Sequence, residues 1–389
     1  MSPVDDALRV STVRDAAGVD RLAGAGWDDL VRGMERPSPF LLHGWLSAWC
    51  RQFGSAVDLQ IHVAHRGDRL VGALPLHARR TLGVRVADFV GGSDAALGDV
   101  LLAPGEDGVA ARALAERAAS QDIDCADLHG LPATSRLAAA LGPDRLLMVP
   151  RAAAPVLDVR DGWQAVYRAR VAPKHRQNER RKRRRLGDAG RLEVRVARGW
   201  PELAPALEDA FAVHALRWNG RPDGSDFATP AGRAFQRSAF EALAAADVPR
   251  IVLLTLDGRP IAFVSFFLLA ETMVVHRLAF DPAYARWSAG LLAAHDALEV
   301  GTEEGARRVE FLGGAEPYKR ELTDRFEPLH EGVGLARGVR GRAAVAARRA
   351  VIGARRELAR RPRARRAWYE GLAPARRLAR RAAWRGAQR

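Results

Sequence analysis

Four titratable side chains lie within ten residues in the last third of the chain. Glu310, Glu316, Tyr318 and Lys319 flank the glycine pair Gly313-Gly314. General acid–base catalysis needs such groups within hydrogen-bond reach of a substrate, and a glycine pair lets a substrate approach the backbone. The alternative is a glycine-rich turn with charged residues on its surface. We favour a catalytic cluster, because the titratable groups are so dense.

A second candidate is the junction between a predicted strand, residues 273–280, and the helix that follows it. The residues at the junction are Arg286, Ser288, Ala289, Gly290 and Leu291. Small residues at a helix N-terminus leave backbone N–H groups open, and with the helix dipole these groups favour a bound phosphate. The alternative is an ordinary helix start with Ser288 as its cap, which the local chemistry alone favours.

His214, Arg217 and Trp218 form a third candidate, for binding a substrate. On a helix, His214 and Trp218 share one face. A packed aromatic ring beside a hydrogen-bonded histidine is therefore the simpler interpretation, ahead of a direct catalytic role.

Several well-known catalytic signatures are missing from the sequence. It has no Gly-x-Gly-x-x-Gly, no Walker loop and no His-Glu-x-x-His. Arg286 stands where a nucleophile elbow would need its first glycine. No histidine pairs with Cys125 at a metal-binding spacing. Dinucleotide reduction, P-loop phosphoryl transfer and zinc hydrolysis are therefore disfavoured, and we predict no metal site.

The net charge of +15 is concentrated in one tail and one segment. Residues 336–389 contain 18 arginines and two glutamates, so the first 335 residues carry a net charge of −1. Because this body is neutral and lacks a face that combines basic and aromatic residues, we expect no nucleic-acid partner. Residues 168–185 are also basic. They are either a solvated helix face, which we favour, or a basic wall beside a phosphate-bearing ligand.

The tail has the pattern of amphipathic helices. Arginine pairs recur at helical spacing with Val345, Ile352 and Leu358 between them, and a second helix is predicted from Pro374. Trp368, Tyr369 and Trp384 would suit the interface of an anionic membrane. The alternative is a helical extension packed on the body. Two cysteines form no disulfide framework and no apolar run spans a bilayer, so we expect a cytoplasmic protein. The basic tail adds the alternative that the protein attaches to the inner face of the membrane.

The periodicities predict two successive α/β units of similar plan. The first has a helix at 38–53, strands at 58–64, 70–76 and 84–90, a helix at 108–119, and short strands near 126–128 and 145–149. The second has helices at 162–170, 173–187, 201–218, 230–246 and 289–304, with strands at 192–197, 251–256, 260–269, 273–280 and 307–312. Each contains a hairpin with a Gly/Asp turn, which makes a tandem duplication plausible. We predict domains at residues 1–160 and 161–335, followed by a tail at 336–389.

The motifs together resemble the CelD-type branch of the GNAT superfamily, which is similar to the FemAB-like two-domain acyltransferases. The resemblance covers residues 40–330, and the motifs that carry it stand in a fixed order: Trp45…Trp49…Phe53-Gly54, Arg176…Arg180-Arg181…Arg184, His214…Arg217-Trp218, Phe280-Asp281-Pro282…Ser288-Ala289-Gly290 and Glu310-Phe311-Leu312-Gly313-Gly314 leading to Tyr318-Lys319. It implies two tandem GNAT-like domains, each a mixed, mostly antiparallel sheet flanked by helices, with a basic helical tail.

The same resemblance implies a reaction. Acetyl-CoA or another acyl-CoA would be the donor and an amine the acceptor, with the pyrophosphate on the loop at 286–292. Glu310 or Glu316 would be the base, Tyr318 an acid or substrate contact, and Lys319 would orient an anionic group. The CelD likeness implies an envelope polysaccharide, or its sugar precursor, as acceptor. The loop departs from the family pattern because Ser288 replaces a glycine. A degenerate GNAT scaffold without activity therefore stays open as an alternative.

Overall fold

Two β-sheets with helices around them form the body of the chain. The computed structural model describes residues 7–91, 96–106, 108–120, 123–218, 226–314 and 316–359. The first sheet contains β1 (Leu8–Val13), β2 (Asp58–Arg66), β3 (Arg69–Thr81), β4 (Val84–Phe89), β5 (Leu101–Leu102), β6 (Cys125–Pro132), β7 (Leu146–Ala152) and β14 (Leu329–Gly334). The second contains β8 (Val156–Asp158), β9 (Leu192–Ala197), β10 (Pro249–Leu256), β11 (Arg259–Leu269), β12 (Thr272–Phe280) and β13 (Arg308–Glu310).

The helices lie mainly between and after these strands. Those of the first half are α1 (Ala16–Asp20), α2 (Trp27–Arg32), α3 (His43–Phe53), α4 (Val109–Ser120) and α5 (Arg136–Leu141). Those of the second half are α6 (Trp163–Arg170), α7 (Pro173–Gly187), α8 (Gly199–Trp218), α9 (Pro230–Ala244), α10 (Ala289–Glu303) and α11 (Pro317–Leu322). The tail contributes α12 (Gly338–Ala359).

The two sheets follow one pairing plan, as the predicted α/β fold of two tandem GNAT-like domains requires. In each, four successive strands pair antiparallel, β1 to β4 in the first and β9 to β12 in the second. A helix then crosses over to a strand that pairs parallel to the fourth, β6 through α4 and β13 through α10. This shared order supports the duplication that the hairpins indicated.

Each sheet is completed by a strand that the sequence places in the other predicted unit. The short β8 pairs with β13 of the second sheet, and β14 inserts between β6 and β7 of the first. Each exchange therefore crosses the predicted boundary at 160, and no described strand lies beyond the one at 335. The boundaries themselves stay a prediction.

One hydrophobic core spans both halves. Phe40 and Trp45 of the first half contact the ring of Phe267 in β11, with ring centroids 5.9 and 5.7 Å apart. Helix α3 packs closely on α9, where a Cβ on Gly44 would lie 3.0 Å from the Cβ of Ala242. Buried residues from both units belong to this single cluster. The halves are therefore held together by apolar packing as well as by strand pairing.

The predicted helix at 38–53 is in fact two elements. A 3₁₀ turn covers Pro39–Leu41, and α3 begins at His43 because Leu42 between them has an extended backbone, with ψ 144°. The extended residue lets both Phe40 and Trp45 reach the core, where each is wholly buried. An uninterrupted helical periodicity hid this break.

The described part of the tail packs on the body. Val345 and Ile352 of α12 are buried against Cys125 and Val333 of the first sheet. Arg348 donates to Asp127 at 2.9 Å and to Glu331 at 2.9 Å. Among the described residues, Val345 and Ile352 therefore pack on the body, as the alternative of a packed helical extension expected, and not on a membrane. The second tail helix predicted from Pro374 lies outside the described residues.

Within the residues that the structure covers, no helix has both the length and the apolar character needed to cross a bilayer.

Candidate active site

The predicted phosphate-binding junction has an open helix N-terminus. After β12, Asp281 caps a 3₁₀ helix, Pro282–Trp287, by accepting from the amide of Ala283 at 3.0 Å. Ser288 then adopts a left-handed conformation, with φ 56°, and α10 begins at Ala289. The amide of Leu291 bonds to the carbonyl of Ser288 at 2.9 Å, so the first two amides of α10 are the ones without an intrahelical acceptor. The turn therefore directs backbone donors and the positive end of the helix dipole to one place.

Ser288 is the N-cap residue of α10, as the alternative interpretation expected, but its side chain makes no capping hydrogen bond. Its Oγ instead accepts a hydrogen bond from the Nζ of Lys182 in α7, at 2.7 Å. The left-handed backbone turns the hydroxyl away from the first-turn amides. An ammonium group therefore lies beside the helix N-terminus, a feature that sequence spacing did not reveal.

The other junction residues have separate roles. A Cβ on Gly290 would lie 2.6 Å from Cδ1 of Phe280, so this glycine allows α10 to pack on β12. Ala289 is buried in the same contact region, while Leu291 is half-buried. The exposed Arg286 stacks its guanidinium 3.7 Å from the ring centroid of Trp287. Arg286 and Lys182 thus provide two cations near the open turn.

Strands β12 and β13 diverge next to this junction. They pair only from Thr272–Arg308 to Val274–Glu310. Beyond that point β12 runs on to Phe280, whereas the other chain turns away through Leu312, φ 55°, and Gly314, φ 115°. In the part of the chain described here, the β12 edge that faced β13 has no strand partner past Val274. The divergence opens a wedge between β12 and the chain that continues from β13.

A β-bulge in β12 lies beside the wedge. The register with β11 pairs Val275 with Phe266 and Arg277 with Ser265, which leaves His276 as the extra residue. The Nδ1 of His276 lies 3.2 Å from the Oγ of Ser265. Burial, and then the charge of Arg277, lowers the pKa of His276 well below its usual value, so the ring is neutral. Bulges are common beside active sites, where they re-aim a side chain or end strand pairing.

The predicted cluster at 310–319 is divided by the sheet. Val309 and Phe311 belong to the core under α10, and Tyr318 packs there too, with its ring centroid 6.3 Å from that of Phe311. Glu310 lies between them in the strand, so its side chain is on the opposite face, where it bonds to Arg36 of the first half. The structure therefore brings Tyr318 and Lys319 together with Glu316 but separates them from Glu310.

Glu310 is wholly buried and bonded to two arginines. Arg36 of the first half donates to both of its oxygens, at 2.8 and 2.6 Å. Arg308 donates to Oε1 at 3.0 and 2.7 Å. Arg308 also donates a hydrogen bond to Glu327. Burial alone would raise the pKa of Glu327, but the hydrogen bonds and charge of Arg308 outweigh burial and lower it. The network lines a cavity of about 290 Å³ between the two halves.

Lys319 and Tyr318 are held on the other side. The buried Nζ of Lys319 donates to the carbonyl of Phe311 at 3.2 Å and lies 2.8 Å from Glu316. It therefore fixes the turn that follows β13. Burial raises the pKa of Tyr318, and the Glu316 charge adds to the effect, so its phenol stays protonated. Glu316 keeps half of its side chain exposed.

The candidate substrate-binding residues reach the end of β12. His214 is buried against Phe227, with ring centroids 5.4 Å apart. Arg217 lies 4.6 Å above the ring of Phe280 and 5.7 Å from that of Trp218. His214 thus has the packed environment that its spacing indicated. Arg217 and Trp218 border the junction before α10.

The buried pair between the halves gives a first prediction. In Arg36→Ala, Glu310 keeps Arg308 but loses a bidentate partner, so the free energy of unfolding should fall by about 3 kcal/mol. Urea denaturation followed by circular dichroism measures it. The control is Arg32→Ala, because Arg32 pairs with Asp29 at the surface and should contribute under about 1 kcal/mol. Equal losses in the two variants would contradict a stabilising role for the buried pair.

Comparisons with known proteins agree with this geometry. Residues 173–320 match the family model described as an acetyltransferase (GNAT) domain. Among solved structures, FemX is 9% identical, covers 79% of this chain and 94% of its own, and has a TM-score of 0.55. A conserved protein of unknown function from Bacteroides thetaiotaomicron is 13% identical, with coverages of 79% and 96% and a TM-score of 0.54.

The structure of L-PGS from Bacillus licheniformis is similar as well, at 10% identity, coverages of 78% and 95%, and a TM-score of 0.51. None of the curated protein sequences matches the chain. At these identities the solved structures establish the fold alone. The chain has the two-sheet architecture of tandem GNAT-like domains, and within it residues 173–320 match the model of an acetyltransferase (GNAT) domain.

Proposed function

We propose that the protein is an acyl-CoA-dependent N-acyltransferase whose acyl-CoA site lies in the second half. The observation that carries the proposal is the wedge between β12 and β13, with the open N-terminus of α10 beside it. The family match over residues 173–320 supports the same assignment. The wedge offers a groove, a phosphate-binding turn and titratable groups within one domain.

The residues around the wedge suit the chemical parts of acyl-CoA. A pyrophosphate would meet the first-turn amides of α10, the Nζ of Lys182 and the guanidinium of Arg286. An amide-bearing arm would add to the free edge of β12 as an extra strand does. The two nearby carboxylates Asp281 and Asp296 are each paired with an arginine, Arg259 and Arg183. They therefore add little repulsion against phosphate.

Acyl-CoA supplies an activated thioester, whose carbonyl carbon forms a bond to the amine nitrogen as the carbon–sulfur bond breaks. The protonated phenol of Tyr318 would donate a proton to the departing thiolate, and Glu316, the more accessible carboxylate, would take the proton of the amine. The bulged backbone at His276 would donate to the carbonyl oxygen. Glu310 would position β13, since two arginines occupy its oxygens.

The acceptor proposed here is an amine on a saccharide. The CelD-type resemblance points to an amino sugar of an envelope polysaccharide or its precursor, and Arg217 and Trp218 are the residues proposed to contact it. The rival is a GNAT scaffold that has lost activity, which the serine in the phosphate loop allows. A screen of amino sugars against acyl-CoAs of different lengths, read by release of free thiol, tests the activity directly.

A single carboxylate tests the phosphate site. Ser288→Asp suits the left-handed backbone and places a negative charge at a helix N-terminus, which favours folding by about 0.3–1 kcal/mol. The same charge should repel a pyrophosphate. We expect acetyl-CoA to raise the melting temperature of the native protein and of the isosteric control Ser288→Asn, but not that of Ser288→Asp.

If acetyl-CoA still raises the melting temperature of Ser288→Asp, the phosphate site lies elsewhere. If acetyl-CoA does not raise the melting temperature of the native protein, the protein does not bind it. Gly290 is unsuitable for this test, because any side chain there collides with Phe280.

The phenol of Tyr318 tests turnover. Tyr318→Phe keeps the ring in the core and should lower the rate of thiol release about 10²-fold, as expected for a lost general acid. The control is Tyr284→Phe in the preceding 3₁₀ helix, whose ring contacts only Trp287 among the aromatic rings described; its rate should match the native rate. If both Tyr318→Phe and Glu316→Gln react at the native rate, the catalytic assignment is wrong.

We also propose that the tail beyond α12 binds an anionic membrane surface. The apolar stripe of α12 is already used against the body, so a membrane contact falls to residues 360–389, which contain 11 arginines and one glutamate. Basic residues near such a surface contribute about 1 kcal/mol each.

Sedimentation with phosphatidylglycerol vesicles tests this attachment. The full chain should pellet at low salt and be released at high salt. A chain that ends at Ala359 keeps the packed helix and should stay in the supernatant. Equal pelleting of the two chains would reject the proposal.

A further inference from the structure

Helix α7 runs along the wedge and is anchored at several points. Near its start, His175 contacts Glu321 of α11. Two turns later Lys182 reaches Ser288 at 2.7 Å, and Arg183 pairs with Asp296 of α10. Seven residues of helix separate the first and second anchors, a rise of about 10 Å. The helix therefore extends from the α11 side of the wedge to its phosphate-binding end.

The inner face of α7 is fixed by buried polar contacts. Glu179 is buried, where it accepts from the hydroxyl of Tyr167 at 2.5 Å and lies 3.0 Å from Nδ1 of His295. Burial opposes its ionisation, but the contact with His295 prevails and lowers the pKa of Glu179. The only carboxylate of α7 therefore faces the interior, where Tyr167 and His295 bind it. It does not offset the charge of the outer faces.

The cations of α7 exceed what the fold uses. Eight of its fifteen residues are lysine or arginine. Arg176 is used by backbone carbonyls, Lys182 by Ser288 and Arg183 by Asp296. Arg180 and Arg185 have no carboxylate partner within the described ranges of the chain. Like charges three or four residues apart destabilise a helix, so these arginines carry a cost that folding does not offset.

Arg185 is exposed near the C-terminal end of α7. It stands three residues after Lys182, so the two side chains share one face of α7. The order along this face is His175 beside α11, Lys182 beside the α10 N-terminus, and Arg185 one turn further in the same direction. Arg180 is two residues before Lys182 and therefore points to the opposite side of the helix.

We propose that α7 provides a phosphate subsite for the nucleotide end of CoA, with Lys182 binding the pyrophosphate and Arg185 the 3′-phosphate. This inference rests on the proposed function and deepens it, because it assigns the basic helix to the donor rather than to a membrane or an acceptor. An ammonium group at the pyrophosphate compensates for the serine in the loop. The protein should then distinguish CoA from its analogue that lacks the 3′-phosphate.

Calorimetric titration of the full chain with acetyl-CoA and with 3′-dephospho-acetyl-CoA tests the inference. Arg185→Ala should weaken acetyl-CoA binding about tenfold, the effect of one lost charged contact, and leave the dephospho analogue unchanged. Lys182→Ala should weaken both ligands. Arg180→Ala, the matched control, should weaken neither.

Three results would overturn it. Equal weakening of both ligands in Arg185→Ala, equal effects of Arg180→Ala and Arg185→Ala, or unchanged binding in Arg185→Ala would each show that α7 does not read the 3′-phosphate. Binding of neither ligand to the native protein is a different outcome, which rejects the proposed function itself. Melting temperatures of the free variants confirm that the exposed arginines leave the fold intact.

Discussion

The carboxylate of Glu310 is buried completely, and a buried charge is stable only when its hydrogen bonds are satisfied. Arg308 satisfies it from the same strand, whereas Arg36 comes from the first half, 274 residues earlier in the chain. The pair sits where β12 and β13 begin to diverge. The relative position of the halves and the shape of the wedge therefore depend on the ion pairs that Glu310 forms with Arg36 and Arg308.

The aromatic core extends the same dependence to β12. The ring of His276, at the bulge, lies 5.7 Å from Trp45 of α3 and 5.1 Å from Phe267 of β11. The first half thus packs directly against the strand that borders the proposed acyl-CoA site. A substitution at Trp45 would act on the geometry of the bulge even though Trp45 contacts no part of the phosphate loop.

The sequence predicted local elements well and long-range pairings poorly. The bounds of α7 and β9 agree with the expected 173–187 and 192–197, because strong periodicity and clear termini define them. The strands β1, β5, β8 and β14 were not predicted; β5 and β8 have only two and three residues, and β14 pairs with strands of the other half. The charges of 310–319 were grouped by spacing, but a strand sends alternate side chains to opposite faces. Lys182 had no local signal, because its contact with Ser288 spans 106 residues.

The insertion of β14 between β6 and β7 has a consequence for synthesis. A chain emerges from its N-terminus, and domains that are complete fold as they appear. When the first half has emerged, its sheet is still incomplete, because the facing edges of β6 and β7 pair only with residues 329–334. The ribosome must therefore deliver residues 329–334 before the first sheet can close, whereas the strands of the second sheet, within residues 156–310, have all emerged by then.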